Sequence, residues 1–380
     1  MFDFSKIDSF QVETSTYCNV ACPLCPRHFM GTSIVRPTLR QRNILAPQWN
    51  KFLDDMDHIA TKEHPVNMVF CGCHGDPPMT PDWEEIIINT ANRPYVIDVE
   101  TNGSMRTPES WARVGKAMSN AEKEQGIEKI ITFSIDGLLD TNKLYRIGIK
   151  HERVMANAKA FIDAGGKARW KFIVFEHNKH QVEEAQQIAK DMGFWEFDKH
   201  VSTRNWDYNY AEVDQKNAKQ LAINTPEAIT IETDVRKARK GTDAGSSETT
   251  KELNITDEGA KIYREVVESS DLSSIRCDFK EDKMMYIDSE MNLWPCNHIA
   301  ATKQEDMTHY NKLEKEYGVG WNNLAQHKVE DVFYHEYFQD VIQETWQDPS
   351  HKLCTFECQE MCGGGLHSKA WKASTNREEL

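Results

Sequence analysis

No stretch of the 380-residue chain approaches the roughly 18 consecutive apolar residues that a membrane-crossing helix requires, so no membrane association is expected. Residues 1–10 contain neither a basic segment nor an apolar core, so an export signal is not expected either. Without export, the ten cysteines point away from structural disulfides and toward metal or redox use in a reducing cytoplasm. Basic residues are in deficit: 45 Lys and Arg face 60 Asp and Glu, for a net charge of −15. Nucleic-acid binding draws on a cationic surplus against phosphates, so a polynucleotide partner is disfavoured, and solubility is the plain reading of the charge. Internal repeats and long low-complexity tracts are also lacking.

What is present is an alternation of strand and helix signals. Apolar, β-rich runs occupy 10–14, 66–70, 95–100, 129–135, 169–175 and 194–201. Helical patterns lie between them at 82–92, 111–118, 151–164 and 181–192. Thr80-Pro81 and Thr107-Pro108 read as N-caps followed by Pro at the first helical position. Gly165-Gly166 and Gly193 read as helix stops. Six strands alternating with helices predict an α/β fold with a parallel sheet, whose ligands gather at the carboxyl ends of the strands. The pattern dissolves after residue 203. A polar connection follows, with helical signals again at 257–268. A compact cysteine-bearing unit then begins near 275, with a predicted hairpin over 284–294 and a single helix over 329–346.

Cys18, Cys22 and Cys25 follow the first predicted strand with C-x3-C-x2-C spacing. Three thiolates hold three corners of a four-iron cluster and leave the fourth iron open. A zinc site or a redox dithiol is the bland alternative. Zinc sites usually complete four ligands with a second Cys or His pair at knuckle spacing, and none follows locally.

The spacing resembles that of the radical SAM superfamily, and later strand ends strengthen the resemblance. Cys71-Gly72-Cys73-His74-Gly75-Asp76-Pro77 is similar to the Gly-Gly-Glu-Pro segment of that family, with Asp76 in place of the commoner Glu. Glu100-Thr101-Asn102-Gly103 is similar to its T-N-G turn, and Ser134-Ile135-Asp136-Gly137 to its S-x-D-G. Arg146 follows, where it could pair with a carboxylate of the cofactor, and the fifth strand ends at His177-Asn178. The resemblance covers residues 8–200. It implies a partial (β/α)6 barrel carrying a [4Fe–4S] cluster whose open iron binds S-adenosylmethionine (SAM). Gly72, Gly75, Asp76, Asn102, Ser134, Arg146 and Asn178 are the implied cofactor contacts. Cys71 and Cys73, two apart on an extended segment, point to one face; they are either hydrogen-atom donors or small packed residues.

Five further thiols, Cys277, Cys296, Cys354, Cys358 and Cys362, resemble the auxiliary-cluster modules called SPASM and Twitch. Five suit one auxiliary [4Fe–4S] cluster with one thiol to spare, and a structural zinc site is the alternative. The expected organisation is a core over 1–203, a connection over 204–270 and a small α+β cluster domain over 271–380.

The resemblance implies an enzyme that reductively cleaves SAM to a 5′-deoxyadenosyl radical, using an external reductant such as flavodoxin or ferredoxin. The radical takes a hydrogen atom from a substrate, and net oxidation of a small polar metabolite is the first expectation. Modification of a peptide or protein is the second, for which a separate recognition partner would be needed. An iron–sulfur carrier or scaffold without catalysis is the third.

Overall fold

The computed structural model describes residues 3–22, 25–28, 35–36, 38–175, 177–201, 277–281, 283–305, 308–348, 351–353 and 358. The predicted 257–268 helix, Cys354 and Cys362 lie outside the described residues. Six strands occur where the alternation predicts them: β1 (Ser9–Val12), β2 (Val66–Phe70), β3 (Tyr95–Thr101), β4 (Lys129–Ser134), β5 (Lys167–Val174) and β6 (Glu196–Val201). Helices α1 (Ala46–Met56), α2 (Trp83–Ala91), α3 (Pro108–Gln125), α4 (Asn142–Tyr145), α5 (His151–Asp163) and α6 (Val182–Met192) lie between them. The predicted hairpin forms as β7 (Met284–Ile287) and β8 (Leu293–Trp294).

The eight strands make one sheet in the order β6-β5-β4-β3-β2-β1-β7-β8. Every neighbouring pair is parallel except β7 with β8. The hairpin joins this sheet: β7 extends it beyond β1, with Gln11 beside Tyr286. Asp288 shapes its turn by accepting the Glu290 and Asn292 amides at 2.9 and 3.0 Å and the Trp294 indole at 2.9 Å.

Period-two alternation sorts the side chains to the two faces of the sheet. Phe10, Phe70, Val99, Phe133 and Trp170 are fully buried on the face that packs against the helices. There Phe10 meets Phe52 of α1 at 5.3 Å, Trp49 meets Phe70 at 5.5 Å, and Trp111 of α3 meets Phe133 at 5.2 Å. Aromatic pairs at such separations add to the area they bury, so this side holds the core. The opposite face is polar. Arg169 bridges Asp98 at 2.8 Å and Glu196 at 2.6 Å, Lys171 pairs with Glu100 at 2.9 Å, and His200 lies 2.6 Å from Asp198.

Two local expectations differ from the structure. The Thr80 hydroxyl does not cap α2; it donates to the Ile44 carbonyl at 2.6 Å, and the helix starts at Trp83. Thr107 does cap α3, accepting from the Ser110 amide at 3.4 Å. The single helix over 329–346 is broken into Val329–Phe333, a π-helical turn Tyr337–Val341 and Ile342–Gln347. The extra residue of the π turn lets Tyr337 and Phe338 both bury, against Trp321 at 5.3 and 5.9 Å. Among the described residues, no helix is long and apolar enough to cross a membrane.

Candidate functional site

The chain leaves β1 through Glu13, Thr14, Ser15 and Thr16, all buried, and enters the loop carrying Cys18, Cys22 and Cys25. That loop is fastened by contacts that involve no thiol. The Thr16 hydroxyl donates to the Arg40 carbonyl at 2.8 Å and accepts the Arg42 amide at 2.8 Å. The buried Arg27 guanidinium donates to the Thr16 carbonyl and, at 3.1 Å, to the His74 carbonyl. The Ala21 amide donates to the Ile147 carbonyl at 2.9 Å. One guanidinium therefore ties the loop after β1 to the loop after β2.

Glycine is required where those two loops cross. A side chain at Gly75 would place its Cβ 1.8 Å from the Ser15 carbonyl oxygen, and the Asp76 amide next to it donates to the Tyr17 carbonyl at 2.9 Å. Gly137, after β4, has φ +136°, a backbone region that side chains rarely enter.

Three strand ends then converge on the thiols. The Asn102 amide nitrogen lies 3.8 Å from Cys18 Sγ and 3.2 Å from Asn19 Oδ1. Asp76 is buried and accepts the Asn102 backbone amide at 2.8 Å and the Thr101 hydroxyl at 3.0 Å. From the loop after β4, Arg146 pairs through Nε with Asp136 at 2.6 Å and reaches Cys22 Sγ through Nη1 at 3.7 Å. Asp136 has no exposed surface and also accepts the Ile173 amide at 2.7 Å.

Burial dominates the electrostatics of this cluster. Burial pushes the Cys18 thiol far up, with Asp76 and Cys22 adding to the effect. Burial likewise pushes Cys22 to about 11, although the Arg146 charge pulls it down. Burial also works against the Arg146 charge, and Asp136 together with Cys22 outweighs it, so the guanidinium stays well above its ordinary value. Thiols in this condition become thiolates when a metal supplies the compensating charge. The donor set therefore fits an iron–sulfur group. Among the described residues no three His, Cys, Asp or Glu side chains converge on a single-ion site, whereas a cluster spreads its thiolates over separate irons.

Asp76 carries a pH signature. Burial raises its carboxyl from 3.8 to about 6, against the Asn102 amide and Thr101 hydroxyl that donate to it. Between these two values the folded chain holds a proton that the unfolded chain has released, so stability falls as pH rises through the window. The loss amounts to about 3 kcal/mol once ionisation is complete. Asp76→Asn keeps an acceptor for the Asn102 amide and removes the charge. In urea titrations it is expected to raise stability near pH 7 and to change little near pH 3, below both values. An equal effect at both would show that the carboxyl does not ionise at a cost.

The remaining anticipated residues are placed as follows. Gly72 forms a turn so tight that a Cβ would lie 2.3 Å from the Gly75 oxygen. Ser134 is buried at the end of β4. The Asn178 amide is committed to the backbone, donating to Asp136 O and Ile173 O at 2.9 Å and accepting the Phe175 amide at 2.7 Å. Cys71 Sγ receives the Gln11 amide at 3.1 Å, and burial keeps its thiol well above the ordinary value. Cys73 Sγ lies 3.5 Å from the Asn297 amide nitrogen, beside Cys296 in sequence. Cys277 and Cys358 are buried and Cys296 is half-buried; none of the eight described cysteines forms a disulfide.

Two constellations escape the motif reading. Glu13 accepts the His74 amide at 2.6 Å and the Tyr286 hydroxyl at 2.8 Å, joining the ends of β1, β2 and β7. The charged ladder on the open sheet face is the other. Its signal is in the sequence, since β3, β5 and β6 place a charged side chain or a histidine at every second position: Asp98 and Glu100, Arg169 and Lys171, Glu196, Asp198 and His200.

No family model matches the chain, and no curated protein matches it by sequence. Among solved structures, SuiB of Streptococcus suis bound to S-adenosylmethionine matches with a TM-score of 0.51 and 16% identity, over 95% of this chain and 73% of that one. The fold is the radical SAM partial barrel. A second structure, anSMEcpe with bound AdoMet, aligns over 96% of this chain and 91% of that one at 14% identity and a TM-score of 0.48; the assignment rests on SuiB. The radical SAM fold accounts for the parallel order β1 to β6 and puts the thiol loop at the carboxyl ends of its strands.

Proposed function

We propose that the chain is a radical SAM enzyme. Cys18, Cys22 and Cys25 would hold a [4Fe–4S] group whose fourth iron takes SAM. When bound, that group supplies the electron that splits the sulfonium into methionine and a 5′-deoxyadenosyl radical. The single observation carrying this reading is the meeting of Asn102 and Arg146 with the sulfurs of Cys18 and Cys22 at the carboxyl end of a parallel sheet. Gly72 and Gly75 let the loop backbone come close, Asp76 fixes the Thr101–Asn102 turn, and Arg146 holds a positive charge beside Cys22. Asn178 shapes the end of β5 through its backbone hydrogen bonds, and Ser134 lies buried at the end of β4.

The charged ladder on the open face favours a polar substrate, in keeping with hydrogen abstraction from, and net oxidation of, a small polar metabolite. Cys277 and Cys296, with thiols drawn from Cys354, Cys358 and Cys362, would hold an auxiliary [4Fe–4S] group that takes up the electron left on the substrate. A peptide substrate is the second reading, because SuiB has also been solved with its precursor peptide SuiA.

Anaerobically purified protein is expected to carry about eight irons. Reduced with dithionite in the presence of SAM, it should release 5′-deoxyadenosine. Iron near four with one zinc would remove the auxiliary cluster from the proposal. No 5′-deoxyadenosine under strong reduction would favour a non-catalytic iron–sulfur scaffold.

A further inference from the structure

Among the described residues, seven large apolar side chains stand exposed, and three of them fall in one stretch after β4: Leu139, Leu144 and Ile147, at 58%, 47% and 45%. Exposed apolar side chains that gather in one place are what an interaction site requires. The stretch is held in place. The Leu138 amide donates to Gln181 Oε1 at 3.0 Å, the Asn142 amide to Leu138 O at 2.9 Å, and the Ile149 amide to Arg146 O at 3.1 Å.

The same stretch is locally basic on an acidic chain. Lys143 and Lys150 are exposed, and Lys179 and His180 stand exposed on the neighbouring turn. That turn is fastened here because Gln181 Nε2 donates to Asp140 Oδ1 at 2.8 Å. Asp140 is the one acidic residue between 138 and 150, whereas the whole chain carries −15.

What lies directly behind the patch is the thiol loop. Ile147 O accepts the Ala21 amide at 2.9 Å, a Cβ on Gly148 would lie 3.5 Å from Asn19 O, and Arg146 Nη1 is 3.7 Å from Cys22 Sγ. A protein seated on Leu144 and Ile147 would be separated from Cys22 by little more than one layer of chain.

The geometry points to this surface as the docking face for an acidic one-electron carrier protein of the flavodoxin class. The inference rests on the function proposed above. The carrier would lose one electron and an iron–sulfur group held by Cys18, Cys22 and Cys25 would gain it, with no bond or proton changing hands at the interface. Exposed apolar side chains interspersed in sequence with lysines suit an encounter that is small and transient, and steered by opposite charge.

The test compares two reductants on the iron-loaded protein carrying Lys143→Glu, Lys150→Glu and Leu144→Ser, with Val319→Ser as the exposed apolar control. Binding of a flavodoxin is measured by titration, and 5′-deoxyadenosine release is driven by reduced flavodoxin or by dithionite. The triple variant is expected to bind flavodoxin about tenfold more weakly or worse, and to lose flavodoxin-driven release to the same degree. Its dithionite-driven release should be unchanged, and the control should behave as the unmodified protein. Unchanged flavodoxin affinity in the triple variant, or an equal loss in the control, overturns the docking face. Absence of dithionite-driven release from the unmodified protein overturns the functional reading instead, and the docking face with it.

Discussion

Replacing Cys18, Cys22 and Cys25 together with Ala is expected to remove about four irons per chain and bring 5′-deoxyadenosine release to background. The argument is one of charge. These thiols are buried or half-buried, and burial holds Cys18 and Cys22 in the protonated form until iron compensates them. Without sulfur the loop has no donors with which to bind a cluster. The chain should nonetheless fold, because Thr16, Arg27 and Ala21 fasten the loop through oxygen and nitrogen atoms alone. Iron counting, 5′-deoxyadenosine assay and circular dichroism on the same sample check all three points. Retained iron and retained release would sink the ligand assignment, while lost helicity would show that the thiols also hold the loop. Any iron that remains would report on the auxiliary site proposed at the C-terminal thiols.

Asp136→Asn is expected to cost about 3 kcal/mol of stability, well above the effect of an ordinary surface change. Asn retains an oxygen for the Ile173 amide but takes away the partner of a guanidinium only 15% exposed. A charge left in this position has lost its water and gained no counter-ion, which is why breaking such a pair costs more than forming it contributes. The double variant Asp136→Asn, Arg146→Met should recover much of the loss, since it removes the stranded charge as well. Urea midpoints for the three proteins decide the matter. A single variant as stable as the parent would mean that Cys22 or solvent already satisfies Arg146.

Much of this fold is legible because its determinants are local. Apolar, β-rich runs set β1 to β6, and Thr107-Pro108, Gly165 and Gly193 mark helix ends through their own backbone preferences. Thr80-Pro81 carries the same signal and misleads, because the Ile44 carbonyl, 36 residues away, competes for the hydroxyl. The 329–346 helix misleads for a related reason: packing on Trp321 favours a π turn that no helical periodicity announces.

At the site, sequence alone determines the thiol spacing, the glycines and the polar residues at successive strand ends, since each is a short-range pattern. Which atoms those residues spend on one another is decided only by the tertiary structure. Arg146 divides itself between Asp136 and Cys22, Asn178 commits its amide to two backbone carbonyls, and Glu13 reaches Tyr286 across 273 residues of chain. The pairing of β7 with β1 belongs with them, because parallel neighbours distant in sequence are chosen by the whole sheet. Local chemistry names the candidates, and long-range burial, which requires every hidden charge and hydrogen bond to find a partner, assigns their roles.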